Sequence, residues 1–295
     1  MLNSTNDKLI ERGLEVAESQ IFRQNKIWAR HTDEKADVAA SLMKTIRTLH
    51  KAAPREKELS ALAIGSADEP QFRLLEAAFK KGLWLYDIDG TALAIVAERL
   101  QRQMIEGVSL VSGDYTVDLA DPQTAMRTLS SKLGGRPFDL VTLHHCLYYS
   151  SAAIWPVLVE ALYDRVLAPG GAMHFALMSA RETREGTTTR LYHHFSRMFF
   201  GAQTNQDLLL LKDELKVHPV FRKADISSET HEVTFWVDDF EKYMAVVWMV
   251  MLYPHGHRYT LDQRTQIIEF VIENFWRPRR PLIQAQDYLT VFKSE

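Results

Sequence analysis

The chain has 295 residues, 46% of them apolar and 25% charged, which suits one large globular domain with additions and excludes disordered and fibrous classes. Its formal net charge of −3 offers no general attraction for nucleic acid or an anionic membrane, so neither is expected as a partner. Cys146 is the single cysteine, so no intramolecular disulfide and no cysteine metal cluster can form, and a reducing cytoplasm is the expected compartment. The opening MLNSTNDKLIERG lacks the build of a secretory signal, and the longest apolar run, Tyr243 to Tyr253, reads as a buried helix. That run falls well short of the ~20 residues that cross a bilayer.

Taken in order, residues 5 to 25 place Leu9, Ile10, Leu14, Ala17, Ile21 and Phe22 at helical spacing, and residues 34 to 50 do the same with Val38, Leu42, Ile46 and Leu49. Two amphipathic helices therefore precede the first strand. Between them RQNKIWARHT puts Trp28 in a polar connection, either as a plug against the body or as part of a lid that closes over a ligand.

Residues 59 to 90 carry the organising unit. An apolar run, Leu59 to Ile64, stops at Gly65 and a turn of small residues. A helical stretch follows, and a second apolar run, Leu83 to Tyr86, ends on Asp87. This is the pattern of a nucleotide-binding βαβ unit: Gly65 allows a sharp turn beneath a ligand and Asp87 can take both hydroxyls of a ribose. The turn reads GSADEP rather than the G-x-G-x-x-G of a dinucleotide site.

A helix is then expected from Thr91 to Met104, a third strand from Val108 to Val111 leading into SGDYT, and a fourth over FDLVTLHHCLYYS, from Phe138 to Ser150. A helix from Ala152 to Leu167, the turn Ala168 to Gly171 and a strand from Ala172 to Leu177 follow. This alternation predicts a parallel sheet covered on both faces, with ligands at the carboxyl ends of its strands. Beyond Met178 the pattern predicts helices over 187–200 and 204–217, extended structure over 220–236, helices over 238–252 and 261–275, an exposed WRPRRP, and a last strand from Tyr288 to Phe292.

AIGSADE after the first strand, LYDID at the second, SGDY at the third and FDLVTLHHCLYY at the fourth, followed by VLAPGG, together resemble a class I S-adenosylmethionine-dependent methyltransferase over residues 58 to 178. The resemblance implies a doubly wound α/β fold of the Rossmann-like methyltransferase type. Its seven-stranded sheet is mostly parallel with the last strand antiparallel; the helices of residues 1–52 are read, separately, as an N-terminal helical lid. Residues 53–295 are then one methyltransferase-like domain with a helical insertion at about 178–218. HHCLYYSSAAIWPVLVEAL and TRLYHHFSRMF are more specifically similar to the histamine N-methyltransferase group.

S-adenosylmethionine is the implied cofactor. Gly65, Ser66 and Ala67 would line its amino-acid end, and Glu69 would meet its ammonium or merely stand at the helix N-terminus. Asp87 and Ile88 would hold the ribose, Asp114 and Tyr115 the adenine, and His144 would sit beside the sulfonium. His145 falls where that group has a substrate-contacting glutamine, and it is the expected proton acceptor for an amine. Tyr148, Tyr149 and Tyr192 could surround a cationic centre with aromatic rings, with ordinary packing as the alternative. Neither His193 and His194 nor His255 and His257 have the company of a metal site, so no metal is expected.

The implied reaction is methyl transfer to a nitrogen of a small-molecule amine. A second reading keeps the cofactor but has its own amino group displace the sulfonium, as in azetidine-2-carboxylate synthases, which release methylthioadenosine; the altered glycine turn would suit it. A third is a non-catalytic binding module, against which the pair Asp87 and Asp114 argues.

Overall fold

The computed structural model describes residues 4–18, 21–65, 71–201, 204–252 and 259–294. The chain opens with α1 (Ser4–Glu15), α2 (Ile21–His31) and α3 (Glu34–Ala52). Strands and helices then alternate: β1 (Ser60–Ile64), α4 (Phe72–Ala78), β2 (Gly82–Asp87), α5 (Gly90–Arg102) and β3 (Val108–Ser112), then α6 (Tyr115–Asp118), α7 (Pro122–Lys132) and β4 (Phe138–His144). After α8 (Trp155–Ala161) and β5 (Leu167–Met178) come α9 (Thr188–Phe200), α10 (Leu208–Val217), β6 (Asp225–Phe235), α11 (Phe240–Leu252), α12 (Leu261–Val271) and β7 (Leu282–Phe292).

The seven strands form one sheet in the order β3-β2-β1-β4-β5-β7-β6. The pairs β2 with β3, β1 with β2, β1 with β4 and β4 with β5 are parallel. The terminal strand runs the other way. Ser179 donates its N–H to Ala285 O and Lys293 donates to Gly171 O, so moving up β5 matches moving down β7. This is the doubly wound, mostly parallel sheet expected from the sequence.

Two compact units divide the chain. One comprises residues 1–37, 178–206 and 230–286, the other 38–177, 207–229 and 287–295. These bounds differ from a lid ending at residue 52, since most of α3 falls with the strands. In the strand-bearing unit, alternation along β1 and β4 sends Leu62, Ile64, Val141 and Leu143 into one apolar cluster with residues of α7, α8 and α10. Ala61, Ala63 and Leu140 enter another, with residues of α3, α4 and α5. In the other unit, Trp28, Leu191, Phe195, Trp248 and Ile268 belong to a core built from α2, α9, α11 and α12. Among the described residues no helix is long and apolar enough to cross a membrane.

Three expectations are corrected. Trp28 lies inside α2 rather than in a polar connection, because Gln24 is buried with it on one helical face. The fourth strand stops at His144, six residues before Ser150: His145 adopts φ +51°, and Leu147 to Tyr149 form a 3-10 turn seated by buried Leu147. A left-handed residue turns the chain out of the ladder, however apolar its neighbours. Between β3 and β4, where no element is expected, Asp121 accepts from Gln123 N–H and Thr124 N–H and starts α7 with Pro122 in its first turn.

Candidate active site

Among the described residues, Gly65, Asp87, Ile88, Asp114, Tyr115, His144 and His145 stand at or just beyond the carboxyl ends of the first four strands. The register sets Ile64 beside Tyr86, Ile64 beside Leu143, and Asp87 beside Ser112, so the carboxyl ends of β1 to β4 lie level. Gly65 follows β1 with φ +66°, and a Cβ there would stand 2.2 Å from Cys146 Cβ. Only glycine lets the backbone pass so close to the β4 loop. Its N–H reaches Tyr86 O at 2.8 Å. Ser66, Ala67 and Glu69 lie outside the described residues.

Asp87 is the last residue of β2; its Oδ1 accepts from Asp89 N–H at 2.8 Å, and Ile88 beside it is 69% exposed. At the end of β3, Gly113 is a second forced glycine: a Cβ would meet Tyr86 Oη at 2.1 Å and Asp118 Oδ2 at 2.5 Å. Tyr86 donates to Asp118 at 2.6 Å and Lys132 pairs with the same oxygen at 2.5 Å. Burial opposes ionisation of Asp118, but the bonds from Lys132 and Tyr86 outweigh it and hold the carboxyl below its usual range. Asp114 caps α6, its Oδ1 accepting from Thr116 N–H at 2.8 Å. Tyr115 is buried, and its hydroxyl donates to Cys146 O at 2.9 Å, tying the β3 loop to the β4 loop.

At the β4 tip, His144 is buried and His145 lies partly buried beyond it. The His145 ring stacks on Tyr148 at 6.0 Å between centroids, with Nδ1 3.4 Å from the phenol oxygen. Burial first, then the neighbouring His144, pushes its pKa down to about 3, so the ring is neutral at physiological pH. Tyr149 is 59% exposed.

Trp28 and Tyr192 belong to the other compact unit. Trp28 donates its indole N–H to Glu34 at 2.6 Å and stacks on Phe235 at 5.7 Å. Tyr192, on α9, is wholly buried, and burial raises its phenol pKa. His255 and His257 lie outside the described residues, among which no group of three or more His, Cys, Asp or Glu is placed to hold a metal ion. An open surface groove of about 800 Å³ runs along Pro122, Met126, Ser130 and Arg165 and takes in none of the predicted site residues.

Sequence reasoning missed the partners of His144. Its Nε2 lies 2.8 Å from His174 Nδ1, and His174 Nε2 lies 3.1 Å from Ser41 Oγ. The available signal was a lone polar residue in the apolar strand AMHFALM.

The sheet order, the antiparallel β7 and the forced glycine after β1 define the Rossmann-like fold of methyltransferases. No protein-family model matches the chain, and no curated protein matches it in sequence. Among solved structures, the YcgJ protein of Bacillus subtilis superposes with a TM-score of 0.53 at 13% identity, covering 86% of this chain and 99% of its own. A Bacillus halodurans protein (BH2331), provisionally assigned as a methyltransferase, gives 0.50 at 13% identity, covering 85% of this chain and all of its own. A Haemonchus contortus phosphoethanolamine N-methyltransferase, solved with phosphomonomethylethanolamine and S-adenosylhomocysteine, gives 0.47 at 14% identity, covering 85% of this chain and 52% of its own. At these identities the likeness is one of fold.

Proposed function

We propose that the protein is a cytoplasmic S-adenosylmethionine-dependent transferase that moves a methyl group to a nitrogen of a small-molecule amine. The observation that carries this reading is the β1 turn. Gly65 is pressed against Cys146 with no room for a side chain, on an edge where β2 ends in Asp87 and β3 leads to Asp114. An edge with a cleared backbone and two acidic tips suits an adenosine with an amino-acid tail. Asp87 would hold the ribose hydroxyls, Asp114 the adenine, and Gly65 the tail. Ile88, exposed at the β2 tip, offers an apolar surface for the nucleoside.

The bound cofactor would supply a methyl group made electrophilic by a positively charged sulfur. The chain's share of the work is then to position the amine and exclude water. His145, neutral because burial opposes its charge, would accept a hydrogen bond from the amine without retaining the proton. Tyr148 fixes the imidazole plane from one side, and the exposed ring of Tyr149 would face a cationic group.

The test is incubation of the purified protein with S-adenosylmethionine, alone and with a panel of small amines, followed by identification of the nucleoside released. S-adenosylhomocysteine formed only with an added amine supports the reading. Methylthioadenosine from the cofactor alone would replace it with ring closure, and absence of binding by calorimetry would end it. Asp87→Ala is expected to weaken cofactor binding by about 1.5–3 kcal/mol for each ribose hydrogen bond lost. Calorimetric titration of the variant checks it, and unchanged affinity would show the ribose to be misplaced.

A further inference from the structure

One face of the strand-bearing unit is a helical layer that includes α7, α8 and α10. Ala125 and Leu129 of α7, Leu158 of α8, and Leu211 and Leu215 of α10 all join one apolar cluster beneath it, and α8 lies in the middle, in contact with both neighbours. Helical periodicity then fixes what the layer shows to solvent. On α10, Leu210, Asp213, Glu214 and Val217 stand at i, i+3, i+4 and i+7, all exposed, with Val217 at 83%. On α7 the outward residues include Met126, Arg127 and Ser130. On α8 the outward side chain is Val157, 46% exposed, with exposed Ile154 just before the helix.

Met126, Val157, Leu210 and Val217 thus spread exposed apolar surface over three adjacent helices, with the groove along Pro122, Met126, Ser130 and Arg165 open beside α7. An apolar patch rimmed by charge is the build of a contact surface. Its two flanks carry opposite charge. Arg127 of α7 and Arg165, on the π-helical turn Leu162–Val166 that continues α8, line the groove; Asp213 and Glu214 stand on α10. Among the described residues neither Arg127 nor Glu214 has an ion-pair partner. Arg165 and Asp213 pair only with their chain neighbours Asp164 and Lys212.

We infer that this face is the contact between two copies of the chain, related by a two-fold axis that runs along α8. The charges select a second copy as the partner. A partner of one sign would satisfy one flank and be repelled by the other, whereas a two-fold contact sets a surface against itself and is attractive where that surface is self-complementary. Rotation about an axis along α8 brings Val157 toward the partner's Val157 and lays α7 against the α10 helix of the second copy. Arg127 and Arg165 then face the partner's Asp213 and the partner's Glu214, and the same contact is made again on the other flank. Rotation about an axis across the helices sets α7 on α7 and α10 on α10, like charge on like, which excludes it. In the favoured arrangement the partner's Leu210 and the partner's Val217 are the apolar side chains that meet the groove beside α7.

The experiment is sedimentation velocity of the purified full chain from about 1 to 100 μM at physiological ionic strength. A dimer is expected in this range whatever the protein catalyses. Val157→Arg, which sets two guanidinium groups against each other at the axis, should leave only monomer while circular dichroism and melting stay those of the parent. Two charge reversals test the orientation: Arg127→Glu with Arg165→Glu, and Asp213→Arg with Glu214→Arg. Each alone should weaken dimerisation roughly ten-fold or more, because like charges then meet on both flanks. Mixed in equal amounts the two reversed chains should pair with each other, since every acidic flank then meets a basic one. A parent chain that stays monomeric throughout overturns the proposal. So does a dimer indifferent to Val157→Arg, or a pair of reversed chains that associate no better mixed than apart.

Discussion

The two faces of the central strands follow opposite rules. On one, Leu62, Ile64, Val141, Leu143 and Phe175 pack with α7, α8 and α10 in a single apolar cluster. On the other, Ala61, Ala63 and Leu140 begin an equally apolar layer with α3. Toward the carboxyl end this second face then gives way to Thr142, His144 and His174 with Ser41, while Thr45 stands 3.5 Å from Thr290. Hydrophobic burial alone would favour the first arrangement on both faces, at about 25 cal/mol for each Å² removed from water. Polar groups kept in a dry layer gain their place by direction: a hydrogen bond fixes an orientation that apolar contact leaves free. The contrast therefore sets undirected apolar packing on one face against directional hydrogen bonds on the other.

The apolar face should break most expensively. Phe175→Ala removes a fully buried ring and is expected to cost about 3–5 kcal/mol in denaturant unfolding. Gly65→Ala, at the edge where the two faces end, combines positive φ with a clash against Cys146 Cβ and should cost about 2 kcal/mol or more in the same measurement.

The polar face can be sharpened by a substitution in the other direction. The Thr142 hydroxyl is buried with no hydrogen-bond partner among the described residues. Thr142→Val is thus expected to be neutral or to stabilise by about 1 kcal/mol. A loss of that size would show that Oγ1 is satisfied and belongs to the chain of Ser41, His174 and His144.

An effect of similar size, but dependent on pH, is expected in the other compact unit, at Glu34. Burial first, and the nearby Asp37 and Asp33, raise its carboxyl to about 7 against the opposing hydrogen bond from Trp28. The folded state therefore binds a proton that the unfolded chain, titrating at 4.5, has already released. Stability from this group is present at low pH and declines as pH rises through that window. Glu34→Gln should leave melting unchanged near pH 4 and, given the residue's partial exposure, stabilise on the order of 1 kcal/mol above pH 7. Melting curves across that range decide it, and a gain at acid pH instead would reverse the assignment.

Residues 58 to 178 were readable because strand, turn and helix signals in a doubly wound sheet are local. Short apolar runs ending on Gly65 and Asp87 mark strand ends whatever surrounds them. The same locality explains the failures. No periodicity shows that His145 leaves the ladder at φ +51°, and the polar look of RQNKIWAR conceals a helix whose buried face is Gln24 and Trp28.

The sequence by itself determined the alternation of strands with helices, the parallel sheet that this implies and the carboxylates that close two of its apolar runs, since each follows from spacing along the chain. Tertiary structure alone decided what the strand ends touch. Gly65 has no room for a side chain because Cys146, 81 positions later, occupies the place of its missing Cβ, and His144 meets His174, which in turn meets Ser41 on α3. Such contacts join residues far apart in the chain, and distance of that kind leaves no periodic trace in an amino-acid sequence.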